Sequence, residues 1–122
     1  MGKKMGKEFR VVNINEVEEI LPNPKLRIRR LVSRKNVGSD KLTLGIGYSE
    51  PGGPAFEWSY AENDEAYYML KGKIMIYYND KKVELREGQA AFFPAGIKYR
   101  IVNSGTEKAI VIYALAPPPL DH

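Results

Sequence analysis

The chain contains no cysteine, and its single histidine is His122, at the far end of the sequence. Without thiols, disulfide frameworks, thiolate metal sites, iron–sulfur clusters and cysteine nucleophiles are excluded. An imidazole confined to a terminal position, where chain order is poor by default, leaves Ser-His-Asp hydrolysis, histidine base catalysis and His-ligated transition-metal sites without their essential groups. Carboxylates, tyrosines, lysines, arginines and backbone remain, and any catalysis falls to them. No apolar run approaches the ~18 residues of a membrane span, and residues 1–7 lead into Glu8 and Arg10 without an apolar signal region. A cytoplasmic protein with no membrane partner is expected. Walker and Rossmann glycine patterns are also missing, Gly52-Gly53 being too short for a phosphate loop.

What is present describes one packed domain spanning residues 1–122, with 43% hydrophobic and 28% charged residues. The net charge of +4 is uneven: residues 1–41 hold eleven basic against five acidic residues, and residues 42–122 hold eight against ten. Arg27, Arg29, Arg30, Arg34 and Lys35 lack the interleaved aromatics that nucleic-acid binding uses, so no nucleic-acid partner is expected. A solvated basic strand or an oligomer contact accounts for them.

Residues 11–22 carry the one helix signal, centred on 15–21, with Asn13 or Asn15 as cap, Glu16, Glu18 and Glu19 in the early turns and Pro22 as a stop. From Arg27 onward the pattern becomes short apolar stretches, at 26–32, 42–48, 66–70, 73–78, 82–85, 90–93, 98–102 and 108–115. Eight or so strands at this spacing predict an all-β sandwich or barrel. Lys71-Gly72, Asn79-Asp80, Glu87-Gly88 and Pro94-Ala95-Gly96 mark turns, and the Pro51-Gly52-Gly53-Pro54 run argues against regular structure there. Three prolines at 117–119 predict an extended tail over residues 117–122.

The stretches from Gly53 to Gly72 and from Gly88 to Asn103 resemble the two motifs of the cupin superfamily. Glu65 and Gly72 keep their offsets in the first, with Trp58 and Tyr60 at the histidine positions; Gly88, Pro94-Ala95-Gly96 and Asn103 keep theirs in the second, with Tyr99 at the histidine position. The resemblance covers about residues 41–116. It implies a cupin-type, RmlC-like double-stranded β-helix (a jelly-roll barrel), preceded in residues 1–40 by the short helix and the basic strand. Phe56-Glu57-Trp58, Asp64-Glu65 and Tyr68-x-Leu70-x-Gly72 are most similar to the ethanolamine-utilisation cupin subgroup.

Of the four metal-ligand positions the resemblance marks, only Glu65 keeps a ligand side chain. No cofactor is therefore expected, and a hard divalent cation such as Mg²⁺ or Ca²⁺, held by Glu65, tyrosine hydroxyls and water, is the one metal option left. Glu65, Tyr67 and Met69 share a strand face that the resemblance turns into the barrel. An inward carboxyl has its proton affinity raised by desolvation, which suits a general acid or base; a purely structural carboxylate hydrogen-bonded by Tyr60 or Tyr99 is the alternative. Candidate catalytic residues are Glu65, Tyr60 and Tyr99, and candidate ligand-binding residues Trp58, Tyr60, Glu65, Tyr67 and Tyr99. Glu57 alternates with Trp58 and should point away, while Glu62 and Asp64 should be solvated. Gly45 and Gly47 make room for a ligand or for Trp58.

Function stays open between classes. A binding module would hold a small polar metabolite (sugar, carbonyl or carboxylate class). A metal-independent isomerase, epimerase or lyase would use Glu65 as acid and base beside Tyr60 or Tyr99, and the ethanolamine-subgroup resemblance implies acyl-phosphate chemistry instead. A homodimer is expected, with the 26–32 strand pairing across the interface and Tyr77 or Tyr78 facing outward into it.

Overall fold

The computed structural model describes residues 8–122. A single 3₁₀ turn at Ile14–Glu16 precedes ten strands: β1 (Glu19–Asn23), β2 (Leu26–Val32), β3 (Thr43–Ser49), β4 (Pro54–Ser59), β5 (Asp64–Lys71), β6 (Lys73–Tyr78), β7 (Lys81–Arg86), β8 (Ala90–Phe93), β9 (Lys98–Val102) and β10 (Ala109–Ala116). A four-residue helical turn, α1 (Arg34–Val37), joins β2 to β3. One sheet runs β1-β2-β3-β10-β5-β8, the other β4-β9-β6-β7, and every strand pair is antiparallel. This is the jelly-roll barrel the motif spacing predicts.

The corners follow from local chemistry. Asn79 and Asp80 both have positive φ, 47° and 61°, and make the two-residue tip between β6 and β7, a conformation whose twist matches that of the flanking strands. Gly72, at φ 79°, turns β5 into β6 so close to β10 that a Cβ there would stand 3.1 Å from the Ala109 Cα. Alternation then fills the interior: Glu65, Tyr67 and Met69 from β5, Ile74 and Ile76 from β6, Tyr99 and Ile101 from β9, and Tyr113 and Leu115 from β10 are all buried between the sheets.

Three sequence expectations fail at the edges of the barrel. The helix at 15–21 is replaced by the 3₁₀ turn and β1. Asn13 caps that turn, and its N–H donates to Glu16 Oε1 at 2.8 Å, so the capping signal is real but serves one turn only. Arg29 Nη1 donates to the carbonyls of Ile14 and Val17 at 2.9 and 3.2 Å, and pairing of Glu19 and Ile20 with β2 draws the rest into the sheet. β4 begins at Pro54, the last residue of the Pro51-Gly52-Gly53-Pro54 run that argues against regular structure. β2 is flanked by β1 and β3, so its backbone is not available to pair with a second copy.

Residues 117–122 do not extend away. Asn63 Nδ2 donates to the Pro117 carbonyl, Arg34 Nη2 to that of Pro118 at 3.3 Å and the Lys35 N–H to that of His122 at 3.3 Å. The His122 N–H donates back to the Pro119 carbonyl at 3.1 Å, and the imidazole is buried at an edge-on angle of 81° to Tyr60.

One row across the larger sheet positions the interior polar groups. Arg30 on β2, Gly45 on β3, Tyr113 on β10 and Tyr67 on β5 are register partners in turn. A Cβ on Gly45 would stand 2.3 Å from Tyr113 Cζ, so glycine there is what lets the Tyr113 ring lie over β3, where the Arg30 charge acts on its hydroxyl. Gly45 accommodates Tyr113 and not Trp58. Gly45→Ala should cost about 1–3 kcal/mol in urea unfolding, because the obstruction is a ring packed in the core. Gly47→Ala, with its nearest neighbour 3.5 Å from the added carbon, should cost under about 1 kcal/mol in the same measurement.

Candidate functional site

Between the sheets, at the end of the barrel covered by the His122 tail, lies a cavity of about 180 Å³. Leu26, Ile28, Ile101 and Val111 form its apolar walls, Gly47 leaves space on one side, and Phe56 and Trp58 stand along β4. Polar groups enter from Arg30, Tyr60, Glu65, Tyr67, Tyr113 and His122. Phe56 stacks on Trp58 with centroids 4.9 Å apart and planes within 6°, and Trp58 in turn lies 6.5 Å from Tyr99, its register partner on β9. A bulge between Pro54 and Glu57, with Ala55 at φ 64°, sets the phase that turns Trp58 inward, leaves Phe56 lining the cavity while still exposed, and leaves Glu57 exposed.

Glu65 is the buried carboxyl of this site, held by β5 among aromatic rings. Its Oε1 accepts a hydrogen bond from the Tyr99 hydroxyl, and the Tyr67 ring meets Tyr99 edge-on at 6.5 Å, so Tyr99 links two residues of the cavity wall from behind. Phe93 packs against both tyrosines, with centroids 4.9 Å from Tyr67 and 4.2 Å from Tyr99. Burial pushes the Glu65 pKa up to about 7, and the Tyr99 hydrogen bond opposes that rise. Burial, reinforced by the nearby Glu65 charge, also lifts Tyr60, Tyr67 and Tyr99 well above the ordinary phenol range, so all three remain hydrogen-bond donors. Burial raises Tyr113 to about 12 against the pull of Arg30.

The structure gathers Trp58, Tyr60, Glu65 and Tyr67 around the cavity, as the spacing predicts, but not Tyr99. That residue stands behind Glu65, outside the cavity wall, where it hydrogen-bonds the carboxyl and packs against the Trp58 and Tyr67 rings. Asp64 is exposed, as expected, with its Oδ1 accepting from the Ala95 N–H at 2.9 Å to fix the turn before β9. Sequence reasoning missed Arg30, Tyr113 and His122. Parity carried the signal for the first two: Arg30 follows Leu26 and Ile28 at steps of two, and Tyr113 shares its face with Leu115. His122 has no such signal, since backbone carbonyls and not side chains hold its segment.

The four positions where the fold places a metal present an indole that cannot ligate, two phenols that resist ionisation, and one carboxyl already engaged by Tyr99. Among the described residues no three His, Cys, Asp or Glu side chains converge. This donor set does not fit a metal. No helix among those residues is long and apolar enough to cross a membrane.

Polyketide synthase CurC of Streptomyces cyaneus is 28% identical over 93% of this chain and 75% of its own length. KdgF from Halomonas sp. superposes with a TM-score of 0.79 at 15% identity, covering 92% of this chain and 98% of that one. The polyketide cyclase RemF from Streptomyces resistomycificus gives 0.73 at 20% identity, over 92% and 83%. At these identities the structural likenesses carry the fold, and none of the matches singles out a subgroup. The Cupin domain family matches residues 47–115, more than half of the sequence, and with the two-sheet barrel and its glycine-marked turns in place, the chain belongs to the cupin family.

Proposed function

We propose that the cavity binds a small carbonyl-bearing metabolite and that Glu65 moves a proton on it without a metal. The observation that carries this is a single buried carboxyl, facing a cavity, whose pKa of about 7 divides it between acid and base at neutral pH. A cavity of ~150 Å³ accommodates benzene, so this one fits about one six-membered ring or its open-chain equivalent. Relatives named as a polyketide synthase and a polyketide cyclase support a carbonyl-rich substrate.

Ionised Glu65 takes a proton from the carbon next to the carbonyl. The C–H electron pair becomes the new C=C bond, the carbonyl π pair moves onto oxygen, and the Tyr60 hydroxyl hydrogen-bonds the resulting enolate. Glu65 then returns its proton to the same or a neighbouring carbon, so nothing is consumed. Tyr99 serves as a positioning residue that holds the carboxyl and tempers its basicity.

Exchange of the α-hydrogens of cyclohexanone for solvent deuterium, followed by NMR, tests the scheme. Wild-type protein should exchange at least ~100-fold faster than Glu65→Gln, with Glu57→Gln matching wild type and stability changed by less than about 2 kcal/mol in Glu65→Gln. Tyr99→Phe removes a bond that favours the ionised form, so its pH–rate profile should move upward. Equal exchange by wild type and Glu65→Gln would sink the catalytic scheme.

The same carboxyl makes stability depend on pH. Its folded pKa is raised, so the native state keeps a proton that the unfolded chain gives up above the ordinary glutamate value of 4.5. Stability should fall by up to about 3 kcal/mol as pH rises from about 4.5 to 7 and then level off. His122, with its pKa lowered by burial, contributes in the opposite sense below 6.5. Urea titrations across this range should show the decline in wild type and a flatter line in Glu65→Gln.

A second copy of the chain, on this proposal, covers the outer face of the larger sheet. Tyr68, Leu70 and Phe92 there are 45%, 47% and 65% exposed, beside half-buried Ile46 and Ile112, a contiguous apolar patch that isolated proteins rarely leave in water. Sedimentation at micromolar concentration should give a dimer mass, and Phe92→Glu should give the monomer.

A further inference from the structure

Arg30, Trp58 and His122 line the cavity, and one nitrogen of each (Arg30 Nε, Trp58 Nε1 and His122 Nδ1) is buried within the wall without a hydrogen-bond partner. Two of these, the guanidinium and the indole, carry hydrogens they can only donate. The Arg30 charge acts on the Tyr113 hydroxyl, but among the described residues no carboxylate pairs with Arg30, and Glu65 is engaged by Tyr99 instead. A positive group thus faces an apolar cavity with neither a counter-ion nor a full set of acceptors. Its surroundings depend on Gly45, whose bare Cα leaves room for the Tyr113 ring to lie across β3 on the row that carries Arg30. A guanidinium that lines a cavity without a counter-ion is paired when the cavity is filled by something that brings acceptors.

We infer that the ligand is a small carboxylate, its two oxygens received by Arg30 with Trp58 and His122 completing the subsite. This deepens the reading of the cavity as a ligand site and rests on it. A planar carboxylate matches the paired N–H groups of a guanidinium. It also fixes the ligand's direction: an anion is repelled by ionised Glu65, so the carboxylate lies toward Arg30 and the tail, and the uncharged carbon end lies toward Glu65. The tail carries one of the recognising groups, so the segment that covers the cavity also takes part in selecting what enters.

Trp58 is the only tryptophan, so its emission reports the cavity directly. Benzoate and benzyl alcohol share a ring that fits and differ in the carboxylate; each is titrated at pH 7.5 while that emission is followed. Both should change it saturably, with benzoate binding at least tenfold more tightly. Arg30→Gln should erase the preference, and His122→Ala, which leaves the Arg30–Tyr113 contact intact, should reduce benzoate affinity at least threefold while benzyl alcohol is unaffected. Equal affinities for the two probes in wild type, or a preference that survives in folded Arg30→Gln, would overturn the carboxylate subsite and leave the cavity as a ligand site. If Arg30→Gln does not fold, the wild-type comparison and His122→Ala decide. Failure of both probes to reach Trp58 would overturn the cavity reading and the subsite with it.

Discussion

Putting a carboxyl group inside an apolar barrel is the constraint around which this protein is arranged. Such a group must be neutral or well hydrogen-bonded, and Glu65 is held between the two states by one hydroxyl from Tyr99 and a shell of rings. Positions that leucine or isoleucine could fill in a purely structural barrel are occupied by Tyr67, Phe93 and Tyr99, stacked face to face or edge to face. Two of these rings bring hydroxyls and all of them keep water away, so the same packing that supports the sheets also sets the proton affinity of the site.

The opposite pole obeys a different rule. Arg30 reaches the interior through a glycine on the neighbouring strand and a tyrosine on the strand beyond it, an arrangement that only one register of β2, β3 and β10 permits. Acid and guanidinium therefore share one cavity without forming an ion pair. A direct pair would neutralise both and leave the space between them featureless; kept apart, they give it a direction.

Much of the barrel was legible because its corners are chemical: Gly72, Asn79-Asp80, Gly88 and Gly96 each sit where the backbone takes positive φ. Glu65, Trp58, Tyr60 and Tyr67 were legible through the cupin resemblance, which marks Trp58, Tyr60 and Glu65 as ligand positions and turns the strand face of Glu65 and Tyr67 into the barrel. β1 was hidden because the Asn cap and following acids imitate a helix start, and tertiary pairing with β2 overrides that local preference. β4 was hidden behind a Pro-Gly-Gly-Pro run that ends one residue inside the strand. Arg30 was passed over because it belongs to a run of basic residues that reads as a solvated surface, although its parity with Leu26 and Ile28 separates it from Arg27 and Arg29. Tyr99 was placed in the cavity when it in fact backs it, a distinction of depth that strand alternation cannot make.

The tail is fastened almost wholly through its own carbonyls, by Asn63, Arg34 and the Lys35 amide. Main-chain anchorage is indifferent to which side chains the segment carries. Residues 119–121 could thus be exchanged freely while the loop kept its path, whereas a change at Asn63 or Arg34, both distant in sequence, would loosen it. The rim of this barrel is in that sense a replaceable part on a fixed mount, and it is where a duplicated copy of the gene could acquire a new preference without disturbing the acid within.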